Sequence, residues 1–392
     1  MKDVKISDYL WFQEGPGVRN TQYTTSGVKL INVANLVDGN VDLSTSDRYI
    51  SEEEAYGKYN HFLADDRDFV IASSGIKIDY FDKKMGFIKK EHLPLCMNTS
   101  CIRFKVLDTN NLEIKYFMYY LKSNSFKKQL FNQITGSAQL NFGPSHLKKM
   151  TFPLIELKEQ KRIIERLDKT QNIINETKSL LSKYDTLIKS RFIEMFGDIL
   201  AGKYKFETRK LGEISEVGSS HRVFTTEFVE HGIPFYRGTE IGELANGKIP
   251  QKTYYISEEH YQRLIAQDSK PQIGDLLMPS ICNKGQVWMV DTEEPFYYKD
   301  GRVLSISPNR EIYNSKYLQY FMREKTLVEY PKLGSGSTFA EFKIFLLKDI
   351  DILTPPLFLQ NDFAAFVQQI DKSKFEIWLT LQNYGIIEKR VF

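Results

Sequence analysis

The sequence contains an internal repeat with a period of about 200 residues, long enough for each copy to be a domain of its own. Tyr49-Ile50-Ser51-Glu52-Glu53 returns as Tyr255-Ile256-Ser257-Glu258-Glu259. Upstream, Gly27-Val28-Lys29-Leu30 aligns with Gly232-Ile233-Pro234-Phe235, and downstream Asp68-Phe69-Val70-Ile71 aligns with Asp275-Leu276-Leu277-Met278. Lys115-Tyr116 then matches Lys316-Tyr317, and Gly136-Ser137 matches Gly336-Ser337, always in the same order. Each copy closes with a proline-bearing turn and a long helical pattern. These are Phe152-Pro153-Leu154 before Leu157-Lys158-Glu159-Gln160, and Thr354-Pro355-Pro356-Leu357 before Phe358-Leu359-Gln360.

Between the matches, short apolar runs alternate with Gly, Asn and Asp turns, which is a strand pattern. Val28 to Val33, Phe69 to Ala72 and Cys101 to Val106 are expected strands of the first copy, and Leu276 to Met278 and Val303 to Ile306 of the second. Helical segments at Leu112 to Leu121 and Lys316 to Met322 sit among them. The expected fold class is α+β: two tandem, related α+β domains of about 150 residues each, separated by two long antiparallel coiled-coil-like helices. The boundaries fall at 1–152 for the first domain, 153–200 for the central helix, 201–352 for the second domain and 353–392 for the distal helix.

Leu154 to Phe196 contains neither Gly nor Pro, and Gly197 supplies a C-terminal stop. Ile163, Leu167, Thr170, Ile174, Thr177, Leu181, Tyr184, Ile188 and Met195 step by fours and threes, with Arg191 the one interruption. Ile173, Leu180 and Leu187 are expected to widen the stripe. That is a coiled-coil seam, and forty helical residues reach about 60 Å. The second helix keeps the spacing at Leu359, Phe363, Phe366, Ile370, Ile377 and Tyr384, with Trp378, Asn383 and Gly385 expected to interrupt it. Such a helix either packs only on its own domain or pairs with the first; the repeat favours pairing. An antiparallel pair would relate the two domains by a pseudo-two-fold axis.

Two similar, non-identical heads on a stiff spacer suit a ligand that offers two similar sites at a fixed distance. Double-stranded DNA is such a ligand, and its backbone has local two-fold symmetry. A spacer of about 60 Å would hold the heads roughly one to one-and-a-half DNA turns apart, at about 34 Å per turn. Differing heads imply a split, asymmetric target. Candidate reading loops are the polar, Gly-rich segments at matching places in the two copies. In the first copy they carry Arg19, Asn20 and Gln22, then Ser74 and Lys77, then Ser137, Gln139 and Asn141. In the second they carry Ser219, Ser220, His221 and Arg222, then Asn283, Lys284 and Gln286, then Ser335, Ser337 and Thr338, with Arg237 beside Phe235-Tyr236. Arg, Lys, Asn and Gln can make bidentate contacts with base edges, while Ser, Thr and Lys can hold phosphates. Singly, each loop also reads as an ordinary solvated turn; the paired placement distinguishes the set. A net charge of +3, from 53 basic and 50 acidic residues, neither demands nor excludes nucleic acid.

These features resemble the specificity subunit of type I restriction–modification systems over nearly the whole chain. Glu14-Gly15-Pro16-Gly17-Val18-Arg19 through Gly27-Val28-Lys29-Leu30-Ile31-Asn32-Val33 resembles the opening of one class of target recognition domain. Gly232-Ile233-Pro234-Phe235-Tyr236-Arg237 with Glu240-Ile241 resembles that of another class. Phe152-Pro153-Leu154 through Glu165 is similar to the family's central conserved region, and Pro355-Pro356-Leu357 through Lys374 to its distal counterpart. The resemblance implies a non-catalytic subunit that binds two adenine methyltransferase subunits, which carry S-adenosylmethionine. It also implies motor-nuclease restriction subunits that use ATP and Mg²⁺. The departure comes after Lys374, where the family continues a longer helix.

Motifs for chemistry are missing from this chain itself. Thr354-Pro355-Pro356-Leu357 has the wrong residues at both ends for an adenine methyltransferase loop, and Glu14-Gly15-Pro16-Gly17 is a lone glycine turn. Glu113-Ile114-Lys115, Glu156-Leu157-Lys158, Glu176-Thr177-Lys178 and Glu341-Phe342-Lys343 fit half of a nuclease pattern, but so often that the pattern carries no weight. No phosphate-binding Gly-x-x-x-x-Gly-Lys-Ser/Thr loop occurs. His92, Cys96 and Cys101 lack a fourth metal ligand at suitable spacing, so the cysteines read as buried strand residues and no metal is expected. Three cysteines make no disulfide framework, and no stretch approaches the ~18 apolar residues of a membrane span. A cytoplasmic location is the expectation. The rival readings are a tandem scaffold for a non-DNA ligand, such as a glycan or protein filament, and a self-sufficient restriction enzyme.

Overall fold

The computed structural model describes residues 2–133, 140–267, 270–333 and 340–388. Its contacts divide the chain into two units: Met1–Thr177 with Leu379–Phe392, and Lys178–Trp378. Both mix strands and helices, and each has its own core.

In the first unit an antiparallel sheet takes the order Leu10–Glu14, Cys101–Val106, Phe69–Ala72, Met85–Phe87. A smaller sheet places Val28–Ile31 between Leu95–Met97, parallel to it, and Tyr49–Ile50, antiparallel to it. Lys2–Lys5 pairs with Thr151–Leu154, tying the start of the chain to the strand before the long helix. Helices Ile114–Lys122 and Asn124–Gln133 cover the main sheet. Phe69, Phe104, Phe117 and Phe152 fill the interior, with successive ring centroids 5–6 Å apart, the spacing of edge and tilted aromatic packing.

The second unit repeats the main sheet, the small sheet and the closing strand pair of this plan. Its main sheet runs Ser215–Gly218, Val303–Pro308, Leu276–Pro279, Trp288–Met289, and Thr208–Lys210 pairs with Asp351–Leu353. Ile233–Tyr236 lies between Tyr254–Ile256 and Tyr297–Tyr298. The repeated glycines have a physical cause. Gly27 and Gly232 have φ of +123° and +156°, and a Cβ would fall 2.2 Å from the Ile50 carbonyl oxygen and 2.3 Å from that of Ile256. Ser51 and Ser257, within the repeated Tyr-Ile-Ser-Glu-Glu, cap the helices that follow by accepting from Glu54 and His260 N–H.

A buried glutamine opens each long helix. Gln160 donates through Nε2 to the carbonyls of Asn111 and Ile155 (both 2.8 Å) and accepts from Glu113 N–H (2.9 Å). Gln360 donates to Ile312 (2.9 Å) and Pro355 (2.8 Å) and accepts from Asn314 N–H (3.0 Å). Both side chains are wholly buried. About two turns further along, Asp168 takes Lys115 at 2.7 Å, and about three turns along the second helix Asp371 takes Lys316 at 2.8 Å. The hydroxyls of Tyr116 and Tyr317 donate to the carbonyls of Pro153 and Leu353. The matched Lys-Tyr pairs in the sequence are therefore one half of a helix anchor.

The first long helix spans Leu157–Phe196 and stops at Gly197, where φ is +101°. Leu167, Thr170, Ile174 and Ile188 are buried along it, with Ile163, Leu181 and Tyr184 half-buried between them. Leu180 and Leu187 are 40% and 48% exposed, so the seam is narrower than the sequence suggests. In the second unit, Phe192 meets Phe363 at 5.3 Å and Asp185 pairs with Lys374. Numbers that rise along one helix fall along the other, which makes the two antiparallel. Phe363, Val367 and Ile370 are buried, and Phe366 and Ile377 are half-buried. The same helix also packs on its own unit, since Phe363 touches Tyr317 and Tyr320. The expected interruption does not occur, because the helix is continuous from Leu357 to Glu388. A glycine in a helix costs only about 1 kcal/mol, which weakens the helix without stopping it.

Replacing Gln360 with Ala leaves one N–H and two carbonyls without their partner in a dry site. Chemical denaturation of Gln360→Ala should show a loss of about 2–4 kcal/mol, while Gln368→Ala, on the exposed side of the same helix, should change stability by under about 0.5 kcal/mol. Equal effects would sink the anchoring role.

Candidate nucleic-acid interface

In both units, distant loops meet at one end of the main sheet, and the same backbone bonds hold them. In the first, Ser73 N–H donates to Ser100 O (2.8 Å) and Phe142 N–H to Ser73 O (2.9 Å). In the second, Ser280 N–H donates to Arg302 O (2.9 Å) and Phe342 N–H to Ser280 O (2.7 Å). A carboxylate accepts from each serine hydroxyl, Glu14 from Ser73 (3.2 Å) and Glu341 from Ser280 (3.5 Å). Phe142 and Phe342 are buried beneath. This framework uses main-chain groups and so tolerates different neighbours.

In the first unit, Asn141 lies opposite Ser74 in a short two-stranded pairing, so the Ser74, Lys77 and Asn141 loops converge. Ser74 bonds the Ser100 hydroxyl at 2.6 Å, while Lys77 and Asn141 are exposed. Beside them is a cleft of about 380 Å³ lined by Lys77, Tyr80, Lys83, Lys84 and Asp38. Arg19 and Asn20 are exposed on a single 3₁₀ turn. Gln22 is bound inward: its amide donates to Glu54 (2.7 Å) and Tyr59 (3.0 Å), and its oxygen accepts from Arg19 N–H. It shapes that loop and turns no polar edge outward. Ser137 and Gln139, and in the second copy Ser335, Ser337 and Thr338, lie outside the described residues.

In the second unit, the Ser219 hydroxyl joins Val303 O (2.7 Å) to Gly301 N–H (2.8 Å), and Ser220 donates to Tyr298 O (2.5 Å). These serines brace the 297–303 turn. His221 is held through its N–H by the Tyr297 hydroxyl, and Arg222 pairs with Asp300 at 3.1 Å while remaining largely exposed. Next to this turn lies a cleft of about 880 Å³ between helix Gly238–Leu244, the Ser280–Gln286 loop and the 299–302 turn. It gathers three sequence candidates, Arg237, Asn283 and Gln286; Lys284 is exposed on the same loop. It also gathers Lys248, Lys299 and Arg302, which sequence reasoning missed. Lys299 and Arg302 share one turn, but only tertiary packing brings Lys248 and the Ser280–Gln286 loop to them, so no local signal marks the cleft. In the first unit, the Lys83-Lys84 doublet near Tyr80 was a faint signal.

The charges within the larger cleft differ in availability. Arg237 is clamped by Glu240 (2.7 and 3.1 Å) and stacked over the Tyr254 ring at 4.5 Å. The Glu240 bond raises the arginine's pKa; burial pushes the carboxyl up, but the Arg237 bonds outweigh it and hold Glu240 below its usual range. Arg302 pairs with Glu341 at 2.7 Å from an exposed position, and Lys343 also pairs with Glu341. These two cations keep the Glu341 carboxyl low, with Lys343 the larger influence.

Among the described residues, no group of three His, Cys, Asp or Glu side chains could hold a metal ion, and no helix is long and apolar enough to cross a membrane. Cys96, Cys101 and Cys282 are buried and free. Burial pushes the first two thiols up to about 12 and Cys282 up to about 11. His92 accepts Lys89 N–H instead of facing a cysteine.

The chain is thus a duplicated α+β protein with matched loop clusters at one end of each main sheet. Residues 19–182 match the family described as the type I restriction modification DNA specificity domain. Two curated relatives come from Methanocaldococcus jannaschii. The type I restriction enzyme MjaVIII specificity subunit is 26% identical over 44% of this chain, a match that spans 39% of that relative's length. The putative type I restriction enzyme MjaX specificity subunit is 24% identical over 88% of this chain and 80% of its own. The fold also matches a crystal structure of the type I restriction–modification S subunit from M. genitalium (TM-score 0.54, 15% identity, 99% of this chain and 93% of that one). A second match is a chain from a structural study of complex assembly in the type I R-M system (TM-score 0.56, 17% identity, 99% and 95%). The resemblance seen in the sequence is therefore met again in these comparisons: residues 19–182 are similar to the type I DNA specificity domain, and the fold is similar to that of type I S subunits.

The thiol environments give a direct check. At pH 8, iodoacetamide should leave all three cysteines unmodified in the native protein and label them only after denaturation, because the thiolate is the reactive form. Rapid native labelling of Cys282 would contradict the packed core beneath the larger cleft.

Proposed function

We propose that this chain is the DNA-specificity subunit of a type I restriction–modification complex, each unit reading one half of a bipartite, asymmetric target in double-stranded DNA. The observation that carries the reading is that each unit has a cleft next to the same backbone framework, around Ser73 in the first and Ser280 in the second. The two clefts are lined by different side chains, Lys77, Tyr80, Lys83 and Lys84 in one and Asn283, Gln286, Lys248 and Arg302 in the other. A duplicated scaffold with diverged linings suits two different half-sites. The names of the relatives point the same way.

In this reading the chain performs no chemistry. Two methyltransferase subunits dock on equivalent surfaces of the two repeats and bring S-adenosylmethionine. Restriction subunits bring ATP and Mg²⁺ and the cutting activity. The purified chain alone should then neither methylate nor cleave DNA.

The test is exchange of segments. Replacing residues 1–150 with the matching segment of another specificity subunit should change one half of the methylated sequence and leave the other intact; replacing 210–350 should do the converse. A change in both halves, or in neither, would refute modular reading.

A further inference from the structure

Asn246-Gly247 is the only Asn-Gly pair in the sequence, and it closes helix Gly238–Leu244. Gly247 N–H donates to Leu244 O (2.9 Å) and Lys248 N–H to Glu243 O (3.0 Å), while Gly247 takes a φ of +68°. Two such bonds around a left-handed residue make a Schellman turn, which favours glycine because a Cβ is strained at that φ. The Asn246 carboxamide adds a third bond, its Nδ2 donating to Gly242 O at 2.7 Å. The way this helix stops therefore sets a carboxamide directly before an unhindered main-chain nitrogen.

Such a pair carries a reaction of its own. The Gly247 nitrogen, on losing its proton, bonds to Asn246 Cγ, and the Cγ–Nδ2 bond breaks to release ammonia. Water then opens the resulting succinimide ring at either carbonyl. Attack at Cγ breaks the new bond and leaves aspartate; attack at the main-chain carbon leaves isoaspartate, whose backbone runs through Cβ and Cγ. One water is consumed and one ammonia released, with no oxidant or reductant. Asn246, Gly247 and Lys248 are exposed, and no non-adjacent atom of the described residues lies within 4 Å of where a Gly247 Cβ would sit. The obstacle is the turn itself, which occupies the Gly247 N–H and ties down the carboxamide. It stands at the open end of a seven-residue helix, where local opening is easiest. The two Asp-Gly pairs are less suited. Asp38 and Asp300 present carboxyl groups paired with Lys83 (3.6 Å) and Arg222 (3.1 Å), and carboxylates resist nucleophilic attack. The N–H groups of Gly39 and Gly301 are held by Lys83 O (3.1 Å) and the Ser219 hydroxyl (2.8 Å).

We propose that Asn246 is a site of spontaneous deamidation, gated by opening of the Schellman turn that closes helix Gly238–Leu244. The product unlocks the turn that held the reaction back. A carboxylate has no proton to donate to Gly242 O, and it places negative charge at a helix C-terminus, where the dipole disfavours it. Isoaspartate also lengthens the backbone by an atom ahead of Gly247, so the Gly247 and Lys248 bonds fall out of register. Asn246 borders the larger cleft, and the change loosens one wall of that cleft whatever the cleft binds.

The experiment incubates the full chain at pH 8, in native buffer and in urea, and follows every asparagine by peptide mapping. An isoaspartyl methyltransferase added afterwards marks the isoaspartate. In the native chain Asn246 should convert before any other asparagine, several-fold more slowly than in urea, and faster as pH rises because the attacking nitrogen must lose its proton. Asn246→Asp should speed hydrogen exchange several-fold at the Gly247 and Lys248 amides and leave Leu277 and Ile306, in the core strands, unchanged. No conversion of Asn246 in the native chain by the time most of the urea sample has converted would overturn the assignment, as would another asparagine reacting first. Equal rates in the two conditions would overturn the gate. Unchanged exchange at Gly247 and Lys248 in Asn246→Asp would overturn the loosening of the wall.

Discussion

Each half of this protein depends on one buried amide. Gln160 and Gln360 sit where a long helix leaves its globular unit, and each satisfies three main-chain groups from two separate turns. A buried carboxamide is destabilising unless its donors and acceptor are used, and here they are used in one geometry only. The amide therefore fixes how the helix meets the turn ahead of Ile114–Lys122 or Ser315–Glu329. The Lys115–Asp168 and Lys316–Asp371 pairs add a second fixed point on the same helix. With the helix set by two points, each unit presents its loops from a rigid base.

On that base the two units share main-chain bonds and differ in side chains. Ser73 and Ser280 make the same backbone bonds with Phe142 and Phe342. Around them one cleft is small and lined by lysines and a tyrosine, and the other is larger and lined by amides and mixed charges. Backbone bonds do not depend on the identity of the side chains that face the cleft. Such a scaffold can carry different recognition surfaces without loss of its core.

The sequence disclosed the scaffold better than the surface. The repeat, the strands at Phe69 to Ala72 and Cys101 to Val106, and the long helix ending at Gly197 were legible because burial and chain reversal impose local patterns. The even run through Gly385 was not, because one glycine weakens a helix without stopping it. Leu180 and Leu187 misled for a related reason: spacing shows which side chains share a face, but not how wide a face the neighbours cover. The site was only partly readable. Arg237, Asn283 and Gln286 were found from matched loops, but Gln22 faces inward, and Lys248, Lys299 and Arg302 reach the cleft through tertiary packing that leaves no local trace.

The central claim is that two related units read two different halves of one DNA target. Genome-wide mapping of methylated adenines, with this chain and its methyltransferase subunits as the only such system in the cell, tests it most directly. The account predicts one asymmetric motif made of two short specific blocks separated by a fixed number of unspecified base pairs. A single uninterrupted block, or two identical half-sites, would contradict it.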